Sequence, residues 1–170
     1  MKNTTKNGLM LAGIQILLSL LFFGLGLEKN ETLQIATTLF TVAFTIYLCY
    51  VTILHFRDME NNGYLSIWEG IKKGVSLTSI SGMIMSVYFW IYAKFLNPEL
   101  MEYMRMKQEM DLEERGLSQQ QIEQSMAMAE KFSGPLAGAI FAYLGAIFLG
   151  LVFSLIIAAI LKKERADNWQ

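Results

Sequence analysis

Charged side chains fall along this chain in clusters, and between the clusters lie four long runs that are almost free of them. Leu9 to Leu27, Val75 to Ala93 and Pro135 to Leu161 carry none, and Thr32 to Phe56 carries only the titratable His55. Each run is about 19 residues or longer, which at ~1.5 Å per helical residue crosses a ~30 Å hydrocarbon layer. Buried helices of water-soluble proteins rarely run so far without a charge. The pattern predicts an all-α polytopic membrane protein with four transmembrane helices, forming a single membrane domain over 1–170. The expected spans are about 9–27, 32–56, 75–96 and 135–161. The first run is too long for the apolar core of a signal peptide. Leu25-Gly26-Leu27-Glu28 also lacks a small-x-small cleavage pattern, so the run reads as a retained span.

The polar segment 97–134, between spans three and four, is too long for a turn and carries its own helix signals. Asn97-Pro98 offers a cap followed by proline at the first helical position, with Glu99 and Glu102 near the positive helix end. Gly116 is placed to stop that helix. Ser118 and Gln121 have the spacing of a capping box, which starts a second helix running to about Phe132. An extramembrane helical hairpin is expected here.

The approach to span three is patterned differently. Asn61-Asn62-Gly63 signals a turn, and Ser66 and Glu69 match a capping box. A helix starting at 66–74 is expected to lie at the membrane interface, continuous with span three or bent at Gly70 or Gly74. Trp68, Lys72 and Lys73 suit the headgroup depth and are candidate lipid-headgroup contacts. Two lysines are fewer than the roughly four to eight basic residues of a specific anionic-lipid patch.

Within the spans, two rows stand out. Gly134, Gly138, Ala142, Ala146, Gly150, Ser154 and Ala158 recur at every fourth position of span four, giving a shallow groove for close helix packing. Its partner is either another span or a second copy of the chain. Thr37, Thr41, Thr45 and Cys49 recur likewise on span two. With Gln15 and Ser79 they are candidates for a polar lining, although such groups more often bond to a carbonyl one turn back. In the hairpin, Met101, Met104, Met106, Met110, Met126 and Met128 invite a copper(I) reading through soft thioether ligands. At ~100° per residue, however, Met106 and Met110 lie ~140° and ~180° around the helix from Met101. The set does not converge, and flexible apolar packing is the better account.

Composition sharpens this picture mainly by exclusion. The chain is 54% apolar and 17% charged, with a formal net charge of −1, so it has no basic field for nucleic acid. One cysteine and one histidine leave no zinc cluster, and neither a nucleophile elbow nor a phosphate-binding loop is present. Span interiors hold no acid, which argues against a self-contained ion-coupled transporter. No catalytic residue, cofactor or metal is nominated. Lys2, Lys6, Arg57, Lys72, Lys73, Lys162, Lys163 and Arg165 fall in the N-terminus, second loop and C-terminus. The 97–134 loop is rich in acids. Both termini are therefore expected in the cytoplasm.

The segments NNGYLSIWEGIKKG, FLNPELMEYM, GLSQQQIEQ and GLVFSLIIAAILKKE, in that order, resemble a bacterial family of small four-span membrane proteins catalogued only as a domain of unknown function. The resemblance implies an integral inner-membrane protein and hands over no catalytic residues. The expected role is a non-enzymatic scaffold, accessory subunit or lipid-interacting component, with membrane lipid and either a second copy or another membrane protein as partner. The alternative is a small-solute transporter or channel, acting as an oligomer and lined by the hydroxyl faces of spans two and three.

Overall fold

The computed structural model describes residues 2–28, 30–130 and 134–163. The helices are α1 (Lys2–Gly24), α2 (Glu31–His55), α3 (Ile67–Ile91), α4 (Leu100–Glu114), α5 (Gln119–Glu130) and α6 (Pro135–Leu161). A π-helical turn extends α2 over Phe56–Glu60 and another extends α3 over Tyr92–Leu96. Four segments are long and apolar enough to cross a membrane: Lys2–Gly24, Glu31–Glu60, Ile67–Leu96 and Pro135–Leu161. The architecture is an all-α polytopic membrane fold, as the uncharged runs predict.

The helix ends follow local chemistry. α1 stops at Gly24 rather than at Leu27, because Gly26 adopts a φ of +65° and closes a left-handed cap. Its N–H bonds the Phe23 carbonyl at 3.0 Å, and the Leu27 N–H bonds that of Phe22 at 2.9 Å. Leu25 to Leu27 thus leave the first span. At its other end α1 takes in the polar residues from Lys2 onward. Asn30 caps α2, its side chain accepting from the Leu33 N–H at 3.1 Å. The turn at Asn62 and Gly63 uses positive φ at both residues, 53° and 81°. The Ser66–Glu69 capping box then forms: the Ser66 N–H donates to Glu69 Oε2 at 2.9 Å, and the Glu69 N–H donates to Ser66 Oγ at 3.3 Å.

The chain separates into two compact units, Met1–Ile84 with Leu144–Gln170, and Met85–Tyr143. In the first, Leu11, Leu48, Cys49, Ile53, Leu65, Leu77, Ile157 and Leu161 form one apolar cluster. Asn7 Nδ2 of α1 donates to Thr52 Oγ1 of α2 at 2.8 Å, both residues being buried. Such an interhelical bond contributes about 0.6 kcal/mol on average within a membrane. Leu65 and Lys163 exchange backbone bonds of 2.9 and 3.0 Å, which tie the start of α3 to the end of α6.

In the second unit, α4 and α5 form the expected hairpin. Gly116, at φ +74°, donates to the Glu113 carbonyl at 2.9 Å, and Ser118 N–H meets Gln121 Oε1 at 3.0 Å. One detail differs from the sequence pattern. Asn97 does not cap α4; it closes the π-turn, its N–H bonding the Tyr92 carbonyl at 2.8 Å, and α4 begins at Leu100 after a turn at Pro98 and Glu99. Phe132, the expected end of the second helix, lies outside the described residues.

Candidate functional site

Span four carries the strongest sequence signal, and its C-terminal half has a defined partner. A Cβ placed on Gly70 would collide with the Ala158 side chain, and one on Gly74 with Ser154. A Cβ on Gly150 would stand 2.7 Å from Thr78 Cβ. Small residues at every fourth position of α3, namely Gly70, Gly74 and Thr78, therefore face Ala158, Ser154 and Gly150 of α6 in antiparallel register. Gly70 and Gly74 are contact residues inside a continuous helix rather than bends. For these positions the partner is within the chain. Ser154 and Ala158 are fully buried, and the Ser154 and Thr78 hydroxyls satisfy themselves on carbonyls of their own helices.

The rest of the row behaves differently. In the second unit Gly138 faces the Phe89 ring, with Phe89 Cε1 2.7 Å from an added Cβ. Gly134 and Ala142 are exposed, Ala146 is half-buried, and nothing stands within 4 Å of an added Cβ at Gly134.

The hydroxyl row of α2 turns inward on its own helix. Thr37 Oγ1 donates to the Leu33 carbonyl at 2.7 Å, Thr38 to Gln34 at 2.8 Å, and Thr45 to Thr41 at 2.8 Å. Of the six candidate lining residues, Ser79 borders a depression between α1 and α3, but Gln15, Thr37, Thr41, Thr45 and Cys49 do not. Glu69 is held by the Ser66 backbone N–H and hydroxyl, at 2.9 and 2.8 Å.

That depression, about 560 Å³, is lined by Thr4, Thr5, Lys72, Lys73, Val75, Ser76, Ser79 and Ile80. Thr5 also borders a second hollow lined by Lys2, Lys6 and Leu9. Thr5 thus borders two hollows at one end of the first unit, one holding Lys2 and Lys6 and the other Lys72 and Lys73. The two central lysines differ in character. Lys73 is engaged internally, its Nζ 3.2 Å from Glu60 Oε2 and 4.0 Å from the Phe56 ring centroid. Lys72 is exposed and stands 5.4 Å from the ring centroid of Trp68, which is itself 63% exposed. An exposed cation beside an exposed indole, at the end of an apolar span, is suited to a phosphate at headgroup depth. The contributions of Lys2, Thr4, Thr5 and Lys6 are not apparent from sequence, because the lysine pair is counted there within its own segment. The polar stretch before the first apolar run is the signal that could have revealed them.

Among the described residues no group of three or more His, Cys, Asp or Glu side chains could hold a metal ion. In the hairpin the methionines divide by face: Met101, Met104 and Met126 line one cavity with Phe89, while Met106, Met110 and Met128 lie exposed outside its lining.

This geometry, four helices long and apolar enough to span a membrane with a capped hairpin between the third and fourth, defines a helical integral membrane protein. Residues 6–163 match the family described as Protein of unknown function (DUF4199), and the chain belongs to that family. No curated protein and no solved structure matches it.

Proposed function

We propose that this protein is a non-enzymatic, lipid-interacting component of the bacterial inner membrane, with both termini in the cytoplasm, that holds an anionic phospholipid headgroup against the start of α3. The observation that carries the reading is the depression between α1 and α3, where exposed Lys72 stands beside exposed Trp68 with Ser76 and Ser79 along the same lining. Lys2 and Lys6 border the adjoining hollow, and each basic residue near a negative surface contributes about 1 kcal/mol. The depression lies on α3, whose start Leu65 ties to the end of α6 through Lys163. Basic residues gathered at one end favour placing that end in the cytoplasm. A scaffold or accessory role would use lipid-facing surfaces, since Gly150, Ser154 and Ala158 are taken up by α3. The back-bonded threonines of α2 weigh against the transporter reading.

The test is lipid retention by the purified protein, read by native mass spectrometry after extraction from mixed phosphatidylglycerol and phosphatidylethanolamine vesicles. Wild-type protein is expected to retain phosphatidylglycerol preferentially, and Lys72→Gln combined with Ser76→Ala to lose that preference. Lys73→Gln, which breaks an internal pair, serves as the comparison. An unchanged lipid profile in the Lys72→Gln, Ser76→Ala variant would refute the site.

A further inference from the structure

The second unit contains a cavity of about 460 Å³ that the headgroup site does not involve. Its volume falls within the ~300–1,000 Å³ of typical small-molecule sites, and its lining has their composition, apolar walls with a few polar groups. Met101 and Met104 of α4 and Met126 and Ala129 of α5 form one wall. Phe89 of α3 and Gly138 of α6 form the floor, and both belong to segments long and apolar enough to span the membrane. A cavity floored by two spans adjoins the hydrocarbon layer. Thioether side chains are flexible and polarizable, so they adapt to a chain without a fixed shape.

The charged lining narrows the choice of ligand. Arg105, Lys107, Asp111 and Glu130 contribute two cations and two anions, so the cavity carries no net charge. Arg105 Nη1 and Glu130 Oε1 are 3.2 Å apart, and both side chains are more than half exposed. A headgroup that carries both signs matches such a lining, whereas one carrying only a phosphate leaves Asp111 and Glu130 facing like charge. We propose that this cavity holds the headgroup and the adjoining part of one acyl chain of a zwitterionic phospholipid. Its acyl chain lies against Met101, Met104, Met126 and Phe89, and its headgroup lies at the four charges.

Two methionines two residues apart provide the readout. Met104 and Met106 are equally exposed, 51% each, but only Met104 lines the cavity. Full-length protein is stripped of lipid in a rigid steroid-based detergent and treated with hydrogen peroxide, and sulfoxide formation is followed by peptide mass spectrometry. Titrating dioleoylphosphatidylethanolamine is expected to slow oxidation of Met104 about threefold or more relative to Met106, since oxidation follows exposure. Dioleoylphosphatidylglycerol is expected to do less. The proposal is overturned if Met104 and Met106 oxidise in step at every lipid concentration, or if phosphatidylglycerol protects equally well. Ala129→Trp, which fills the cavity, is expected to protect Met104 without lipid and to remove the lipid response; a full lipid response in that variant also overturns the proposal. If Ala129→Trp does not fold, Met101→Gln serves, with protection requiring more lipid; an unchanged titration in that variant counts against the site. None of these readouts involves Lys72, so they stand or fall apart from the headgroup site.

Discussion

The first unit and the hairpin of the second use glycine for opposite purposes. At Gly70, Gly74 and Gly150 the absent side chain lets α3 and α6 approach until nothing larger than hydrogen fits. At Gly116 there is open space for a Cβ, but the backbone stands at φ +74°. The first set is required by tertiary contact and the second by local conformation. Damage should spread accordingly, through the bundle in one case and only along the hairpin in the other.

The largest effect is expected at the seam. Gly150→Ala forces a methyl against Thr78 and should cost about 1–3 kcal/mol, the usual range for overpacking, read as a lower thermal midpoint in detergent. Gly145→Ala, on the same helix with nothing within 4 Å, should be neutral or mildly stabilising. Equal midpoints for the two variants would break the comparison. An intermediate effect is expected for Gly116→Ala, about 1 kcal/mol for placing an L-residue in the left-handed region. Hydrogen exchange should quicken in α4 and α5 while protection at the α3–α6 seam stays unchanged. The smallest effect is expected for the Asn7–Thr52 pair. A double-mutant cycle with Asn7→Leu and Thr52→Val should return a coupling of about 0.6 kcal/mol, and a value near zero would remove that bond as a determinant of α1–α2 packing.

The same division explains what could be read from the sequence. The spans were legible because a helix in lipid must be long and uncharged, and that requirement is written residue by residue. The Ser66–Glu69 box, the Ser118–Gln121 box and the stop at Gly116 were legible because each closes within four or five residues. The separation of Met104 from Met106 followed from helical periodicity alone. The small-residue row showed that α6 packs closely, but not against what. Its partner positions, Gly70, Gly74 and Thr78, lie more than 70 residues away, and the pattern around the two glycines fits a continuous helix and a bend equally. The depression was hidden for the same reason, since Thr4 and Thr5 join Lys72, Ser76 and Ser79 only once α1 lies beside α3. Asn97 misled because a cap needs its side-chain oxygen over the next helix, whereas its backbone N–H closes the π-turn on the Tyr92 carbonyl and its side-chain Nδ2 lies 3.4 Å from the Tyr92 hydroxyl.

The depression between α1 and α3 is tested most directly by imaging the protein in nanodiscs of phosphatidylglycerol and phosphatidylethanolamine. Density for a phosphodiester is expected within hydrogen-bonding distance of Lys72 Nζ and the Ser76 hydroxyl, beside Trp68. Ordered lipid elsewhere, with this depression holding only water, would contradict the headgroup site.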